Sequence, residues 1–392
     1  MNVKLAKRMD SLSPSMTMAI SALAADLKAS GKDILSFSAG EPDFGTPIAI
    51  KDAAVEALEK ELTKYTAVAG TNEVKTAIAN KLKRDNNLSY EPSDIMTNVG
   101  AKHGLFNIFQ ALIDEGDEVI IPAPYWVTYP ELVKYSEGIP VAITTDDSTQ
   151  FKITPEQLQN AITPKTKMLI LTTPSNPTGS VYSKDELTQL AKVLEGTDIW
   201  VVSDEMYEKL VYDGLKFTAT ASINDDMFKR TITVNGLSKA TAMTGWRFGY
   251  LATPNKEVIK AMTKLQSQST SNINTLTQHA SITALEGKVD DVIEMMRGEF
   301  EKRRDLACEL INKIEGLSVV KPQGAFYLYI NIKNITTNSM EFSTKLLEDA
   351  GVAVVPGIAF GLDGYFRFSF ATDVETIKQG ISRIADFVKN YK

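Results

Sequence analysis

The sequence predicts an α/β fold: a large domain whose mostly parallel central sheet is flanked by helices, joined to a smaller α+β domain. Three observations carry this expectation. Helical and short apolar segments alternate through the middle of the chain, three β-branched runs each end in polar or glycine-rich sequence, and the pattern changes after residue 290. With 392 residues and 43% hydrophobic content, the chain exceeds the length that one core usually fills, so two domains are expected.

Taken in order, the first forty or so residues hold two short helical patterns and then ILSFSAGEPDF, a stretch too small to fold alone. Residues 1–45 are therefore assigned to an N-terminal arm and part of the small domain, 46–290 to the large domain and 291–392 to the small C-terminal domain. Within the large domain, VGAKHGLFNIFQALI at 99–113 reads as a small-residue turn leading from MTNV into an amphipathic helix. Backbone donors of Gly100, Ala101 and Lys102 at that helix start would hold an anion. The glycine spacing fits neither a dinucleotide fingerprint nor a nucleotide P-loop, which favours a single phosphate.

DEVII at 117–121, KMLILT at 167–172 and IWVVS at 199–203 read as buried strands. Ligands of open α/β sheets bind beyond the carboxyl ends of strands, so PAPYW, TPSNPTG and DEMY should meet in one crevice. After residue 290 the sequence predicts a long helix at 291–314, strands near 317–320 and 324–332, a helix at 339–350, and strands at VAVVP and YFRFSF.

Composition narrows the function. A net charge of -7 with both signs dispersed supplies no basic stripe for nucleic acid. No run of 18 apolar residues occurs and the start lacks a signal-peptide core, so a soluble cytoplasmic protein is expected. Cys308 falls in a charged helical stretch and reads as a buried helix residue rather than a nucleophile. One cysteine and two distant histidines, His103 and His279, give no metal site.

The sharpest local signal is SKATAMTGWRFGY at 238–250, where Lys239 follows the strand TITVNG and Arg247 comes eight residues later. A Schiff-base lysine must lose its proton at working pH, which a partly desolvated loop near positive charge allows. Arg247 would be that charge, held on a phosphate. The alternative is a solvated loop lysine and a surface arginine. Asp204 directly follows an apolar strand and needs a positive or hydrogen-bonding partner; a pyridinium nitrogen is one, and a helix N-cap at DEMYEKL is the alternative. Asn176, between Pro174 and Pro177, and Tyr207 suit the phenolic oxygen of a pyridine ring, and Trp126 suits its face. A turn asparagine and a core tryptophan are the alternatives. Arg367, on the apolar strand YFRFSF, either points inward to a substrate carboxylate or outward from an edge strand.

These residues together resemble the fold-type I aminotransferases of class I and II, which depend on pyridoxal 5'-phosphate (PLP), and among them the bacterial aspartate aminotransferases. FSAGEPDF, YTAVAGTNEVKTAIA, VGAKHGLFNIFQAL, PAPYWVTYPE, PSNPTG, SDEMYEKLVYDG, SKATAMTGWRFGY and YFRFSFA occur in the family's order and cover nearly the whole chain. The resemblance implies that Lys239 binds the cofactor covalently and shuttles the Cα proton. It implies that Asp204 pairs with the pyridinium, that Asn176 and Tyr207 bind the ring oxygen, and that Trp126 stacks on the ring. Gly100, Ala101, Lys102, Ser238 and Arg247 would surround the phosphate, joined by Tyr65 from a second copy of the chain, so a homodimer is implied. Arg367 would bind the substrate α-carboxylate with Gly40 and Asn176. QSQSTSNINTLTQ at 266–278 has no arginine for a distal carboxylate, and Lys102 with Thr17 is the expected substitute. The reaction implied is amino transfer from L-aspartate to 2-oxoglutarate. Prephenate-linked, aromatic or alanine transamination on the same machinery is the alternative, ahead of a PLP lyase; a catalytically silent protein would not need Lys239, Asp204 and Arg367 together.

Overall fold

The computed structural model describes residues 3–391. Seven strands form the central sheet, in the spatial order Ile95–Val99, Phe248–Ala252, Thr231–Gly236, Trp200–Asp204, Thr166–Thr172, Glu118–Ala123 and Ile139–Thr144. The last five run parallel. Phe248–Ala252 alone is antiparallel to both of its neighbours. The three runs read from the sequence are adjacent strands at the centre, where both faces are covered and an apolar run need not alternate.

Strand periodicity then sorts side chains between the two faces. Val202 packs with Met168, Ile170, Leu105, Phe109 and Met262 on one side, while Val201 packs with Leu169, Leu171, Leu158 and Leu187 on the other. Asp204, two residues past Val202, therefore emerges on the Val202 face at the carboxyl end of the sheet.

A second, antiparallel sheet has the order Val355–Pro356, Tyr365–Ser369, Tyr327–Asn331 and Ser318–Val319. Phe326, Phe366 and Phe368 connect it to Phe37 and to Tyr207 of the larger sheet in one continuous apolar cluster. Leu35–Ser36 pairs in parallel with Val352–Ala353, Leu35 standing opposite Val352. The N-terminal segment thus packs with the C-terminal third of the chain.

Two local expectations differ from the structure. The helix read at 291–314 is Asp290–Ile311, and DEMYEKL forms a turn, not a helix. The Asp204 carboxylate accepts the Met206 N–H at 3.2 Å, a local bond that competes with helix formation. Cys308 lies buried in the long helix, and burial pushes its thiol up to about 12, so it is no thiolate nucleophile at neutral pH. Among the described residues no helix is long and apolar enough to cross a membrane.

Glu205, beside Asp204, is fully buried. One of its oxygens accepts from the Ser203 hydroxyl at 2.8 Å and the Thr220 N–H at 3.0 Å; the other has no partner among the described residues. Burial, reinforced by Glu208, pushes the carboxyl up to about 8. Between the ordinary carboxylate value and about 8 the folded chain thus binds more protons than the unfolded one, and stability falls as pH rises through that window. Glu205→Gln is expected to flatten this slope and raise stability at pH 8.5 by about 1–3 kcal/mol. Urea unfolding at pH 5.5 and 8.5 checks it; equal slopes for wild type and variant would contradict it.

Candidate active site

Three parallel strands end at one crevice, Thr172 lying opposite Asp204 and Asp204 opposite Val234. Asp204 is buried and accepts the Tyr129 hydroxyl at 2.8 Å; Tyr129 also contacts the Thr172 hydroxyl at 2.8 Å. Burial pushes the Asp204 carboxyl up, against the hydrogen bonds from Tyr129 and Met206 and the charge of Lys239. No cation pairs with it among the described residues. A desolvated carboxylate held by two neutral donors is set to receive a cationic hydrogen-bond donor.

Lys239 follows the strand Thr231–Gly236. Its Nζ donates to the Gly40 carbonyl and lies 5.9 Å from the Tyr207 ring centroid and 6.0 Å from that of Phe326. Loss of hydration is the main cause that lowers its ammonium to about 8; Arg367 and Arg247 add repulsion, while Glu41 and Asp204 oppose it. The amine is therefore neutral and nucleophilic in a minor fraction near pH 7 and in most copies above pH 8.

Arg367 points inward from a strand flanked on both sides, so the outward edge-strand alternative is excluded. The side chain is 2% exposed. It donates to Asn176 Oδ1 at 3.0 Å and to the Ser38 carbonyl at 2.7 Å, while its Nε has no partner among the described residues. The guanidinium centre lies 4.4 Å from the Tyr327 ring centroid and 5.2 Å from that of Phe360. It makes no ion pair among the described residues, so a buried cation faces the crevice with unused donor capacity.

The turn before the helix Ala101–Leu112 starts at Gly100, whose φ is 74°. Arg247 lies against it, the Gly100 N–H bonding to the Arg247 carbonyl at 2.9 Å, and a Cβ at Gly100 would collide with the Arg247 guanidinium. A Cβ at Gly249 would fall on the backbone of Gly100 and Ala101, so glycine there lets the turn sit against the sheet. Ser238 is buried nearby in sequence to Lys239. Lys102 is exposed with its ammonium 4.9 Å from the Trp126 ring centroid, and Trp126 stands edge-on to Tyr129, 5.5 Å between centroids.

The structure thus links Asp204, Lys239, Asn176, Arg367 and Gly40, joins Tyr207 to them through Tyr327, and connects Lys102 with Trp126. Two residues remain apart. Tyr65 is 91% exposed, and among the described residues neither its hydroxyl nor that of Thr17, on the helix Met16–Ala29, bonds to another site residue. Its neighbour Met16 packs against the cluster containing Phe360, which places that helix end beside the Arg367 surroundings. Tyr129, Tyr327 and Ser38 were not singled out from the sequence. Tyr129 lies within PAPYWVTYPE and Ser38 within FSAGEPDF, whereas Tyr327 carried no signal beyond a strand.

The family model for aminotransferase class I and II matches residues 32–384. An aspartate aminotransferase of Bacillus sp. (strain YM-2) is 48% identical, over 98% of this chain and 99% of the relative. An aspartate/prephenate aminotransferase of Nitrosomonas europaea is 45% identical, over 98% and 100%. The crystal structure of the aspartate aminotransferase from Rhizobium meliloti superposes with a TM-score of 0.96 at 43% identity, covering 100% of both chains. That of the Thermus thermophilus aspartate aminotransferase with maleate gives 0.94 at 42%, over 98% and 99%. With a converging Lys–Asp–Arg crevice and this likeness over the full length, the chain belongs to the class I and II aminotransferases.

Proposed function

We propose that the chain transfers the amino group of L-aspartate to 2-oxoglutarate, giving oxaloacetate and L-glutamate in two half-reactions on PLP. The carrying observation is that Asp204, Lys239 and Arg367 are desolvated in one crevice, none of them in an ion pair among the described residues, a set that a phosphorylated pyridine aldehyde and an amino acid would complete. PLP, when bound, supplies the carbonyl that takes up the amino group and a protonated ring that accepts the electron pair released at Cα. Asp204 would hold the proton on the ring nitrogen, and Asn176 and Tyr207 would donate to the ring oxygen. Trp126 would cover the ring face. The backbone donors of Gly100, Ala101 and Lys102, with Ser238 and Arg247, would hold the phosphate. Arg367, already oriented by Asn176 and Ser38, takes the α-carboxylate beside Gly40. Lys239 would take up the Cα proton on its amine and return it.

Tyr65, exposed in the single chain, would reach the phosphate of a second copy, so the working unit is a homodimer with shared sites. Lys102 and Thr17 would recognise the distal carboxylate; Lys102, beside the phosphate turn, is the cation they offer. Lys102→Ala is expected to lower the preference for aspartate over alanine about 10- to 100-fold in kcat/KM. Steady-state kinetics with both donors checks this, and an unchanged ratio would remove Lys102 from the role. The Nitrosomonas relative's name favours prephenate as a second acceptor, which a panel of oxo acids would reveal.

The direct test is absorption spectroscopy of the protein reconstituted with PLP. The visible band should be lost on adding L-aspartate and restored by 2-oxoglutarate. A band that ignores aspartate would move the substrate elsewhere, and no band with Lys239 intact would overturn the cofactor.

A further inference from the structure

Tyr207 and Tyr327 come from different sheets, one following the strand Trp200–Asp204, the other opening Tyr327–Asn331. Both are buried, at 5% and 0% exposure, and their hydroxyls lie 2.8 Å apart. Among the described residues, each hydroxyl has only the other as a partner. Two phenols carry two protons and one bond between them uses one, so the accepting phenol keeps a proton with no acceptor. A buried donor in that state needs a ligand atom.

The contact itself allows either phenol to donate, and charge favours Tyr327. The Arg367 guanidinium lies 4.4 Å from the Tyr327 ring centroid and draws electron density from that ring. Arg367 acts on Tyr207 too, but there the Asp204 carboxylate opposes it and holds the phenol proton more firmly. With Tyr327 as the donor, the proton left over is that of Tyr207. Position agrees: a Cβ on Gly40 would lie 3.1 Å from the Tyr327 hydroxyl, and the Gly40 carbonyl is what Lys239 contacts.

We propose that Tyr327 is a positioning residue that polarises and orients the Tyr207 hydroxyl toward the cofactor's ring oxygen, so that two phenols in series stabilise negative charge there. This rests on the PLP reading. The donor pair works as a chain, Tyr327 O–H to the Tyr207 oxygen and Tyr207 O–H to the ring oxygen, each bond strengthening the next. Arg367 thereby acts on the ring oxygen from behind, through a residue that does not touch it. The charged and titratable groups around Lys239 are Arg367, Glu41, Arg247 and Asp204, and all are retained when only the Tyr327 hydroxyl is removed.

The test is a pH titration of the visible band of the PLP-loaded dimer without substrate, for wild type, Tyr327→Phe, Tyr207→Phe and the double variant. Tyr327→Phe should move the midpoint up by about 0.3–1 pH unit and lower kcat about 3- to 10-fold with KM for aspartate nearly unchanged. In the Tyr207→Phe background, adding Tyr327→Phe should shift the midpoint no further. Incorporating 3-fluorotyrosine at position 327, which keeps shape and hydroxyl but makes a stronger donor, should move the midpoint down. An unmoved midpoint in Tyr327→Phe, or additive shifts in the double variant, would overturn the relay while leaving the PLP reading intact. Absence of the band in wild type would overturn both.

Discussion

Lys239→Ala is expected to lower kcat for aspartate by about four orders of magnitude while the protein stays folded. Removing a positioned general base alone costs about 10²- to 10⁴-fold, and Lys239 also supplies the amine that holds the cofactor, so the upper end applies. Its one hydrogen bond among the described residues goes to the Gly40 carbonyl, and it forms no ion pair among them. The loss should therefore appear in the chemical step and not in thermal stability. Single-turnover absorbance with aspartate, beside a melting curve of the PLP-free protein, separates the two. Because the ammonium of the PLP-free protein is lowered to about 8, the rate of cofactor uptake should climb as pH rises toward that value and the amine loses its proton, a limb absent from the variant. Residual activity within tenfold of wild type would remove Lys239 from the reaction.

Arg367→Leu carries the second large effect. A buried arginine with no carboxylate partner is a costly element of the unliganded protein, by several kcal/mol after relaxation. The substitution also strands two acceptors, Asn176 Oδ1 and the Ser38 carbonyl, at about 1–3 kcal/mol each. These terms nearly cancel, so stability should change by less than about 2 kcal/mol in either direction. Binding has no such compensation. Losing one partner of a buried charge pair costs about 2–5 kcal/mol, or roughly 30- to 4,000-fold in kcat/KM for aspartate at about 1.4 kcal/mol per decade. A large drop in unfolding midpoint with a less than tenfold loss of kcat/KM would make Arg367 a structural residue.

The legible part of this molecule was what side-chain pattern alone determines. Central strands buried on both faces leave runs such as KMLILT, and the polar residues that end them, Asp204 and the Asn176 loop, face the crevice because sheet topology sends every parallel strand end the same way. Arg367 was legible as a charge on an apolar strand, but not its direction, which depends on whether that strand lies inside its sheet. DEMYEKL reads as a helix because propensity is local, whereas the burial of Asp204 and Glu205, which sets the turn, depends on neighbouring strands. Tyr129 and Tyr327 were invisible for a related reason. A tyrosine in an apolar segment reads as core, and only the fold shows whose hydroxyl its own must meet.

The pairing of Leu35 with Val352 bears on how the enzyme comes into being. At about 5–20 residues per second, synthesis separates the two partners by roughly 16–60 seconds. The central sheet is complete once Ala252 has emerged, yet Ser38 and Gly40, just beyond Leu35, cannot be held in place until the far end of the chain arrives. Ser38 anchors Arg367, itself made later still. A chain synthesised only as far as Ala252 therefore holds every strand of the central sheet but lacks both the partner strand of Leu35 and Arg367.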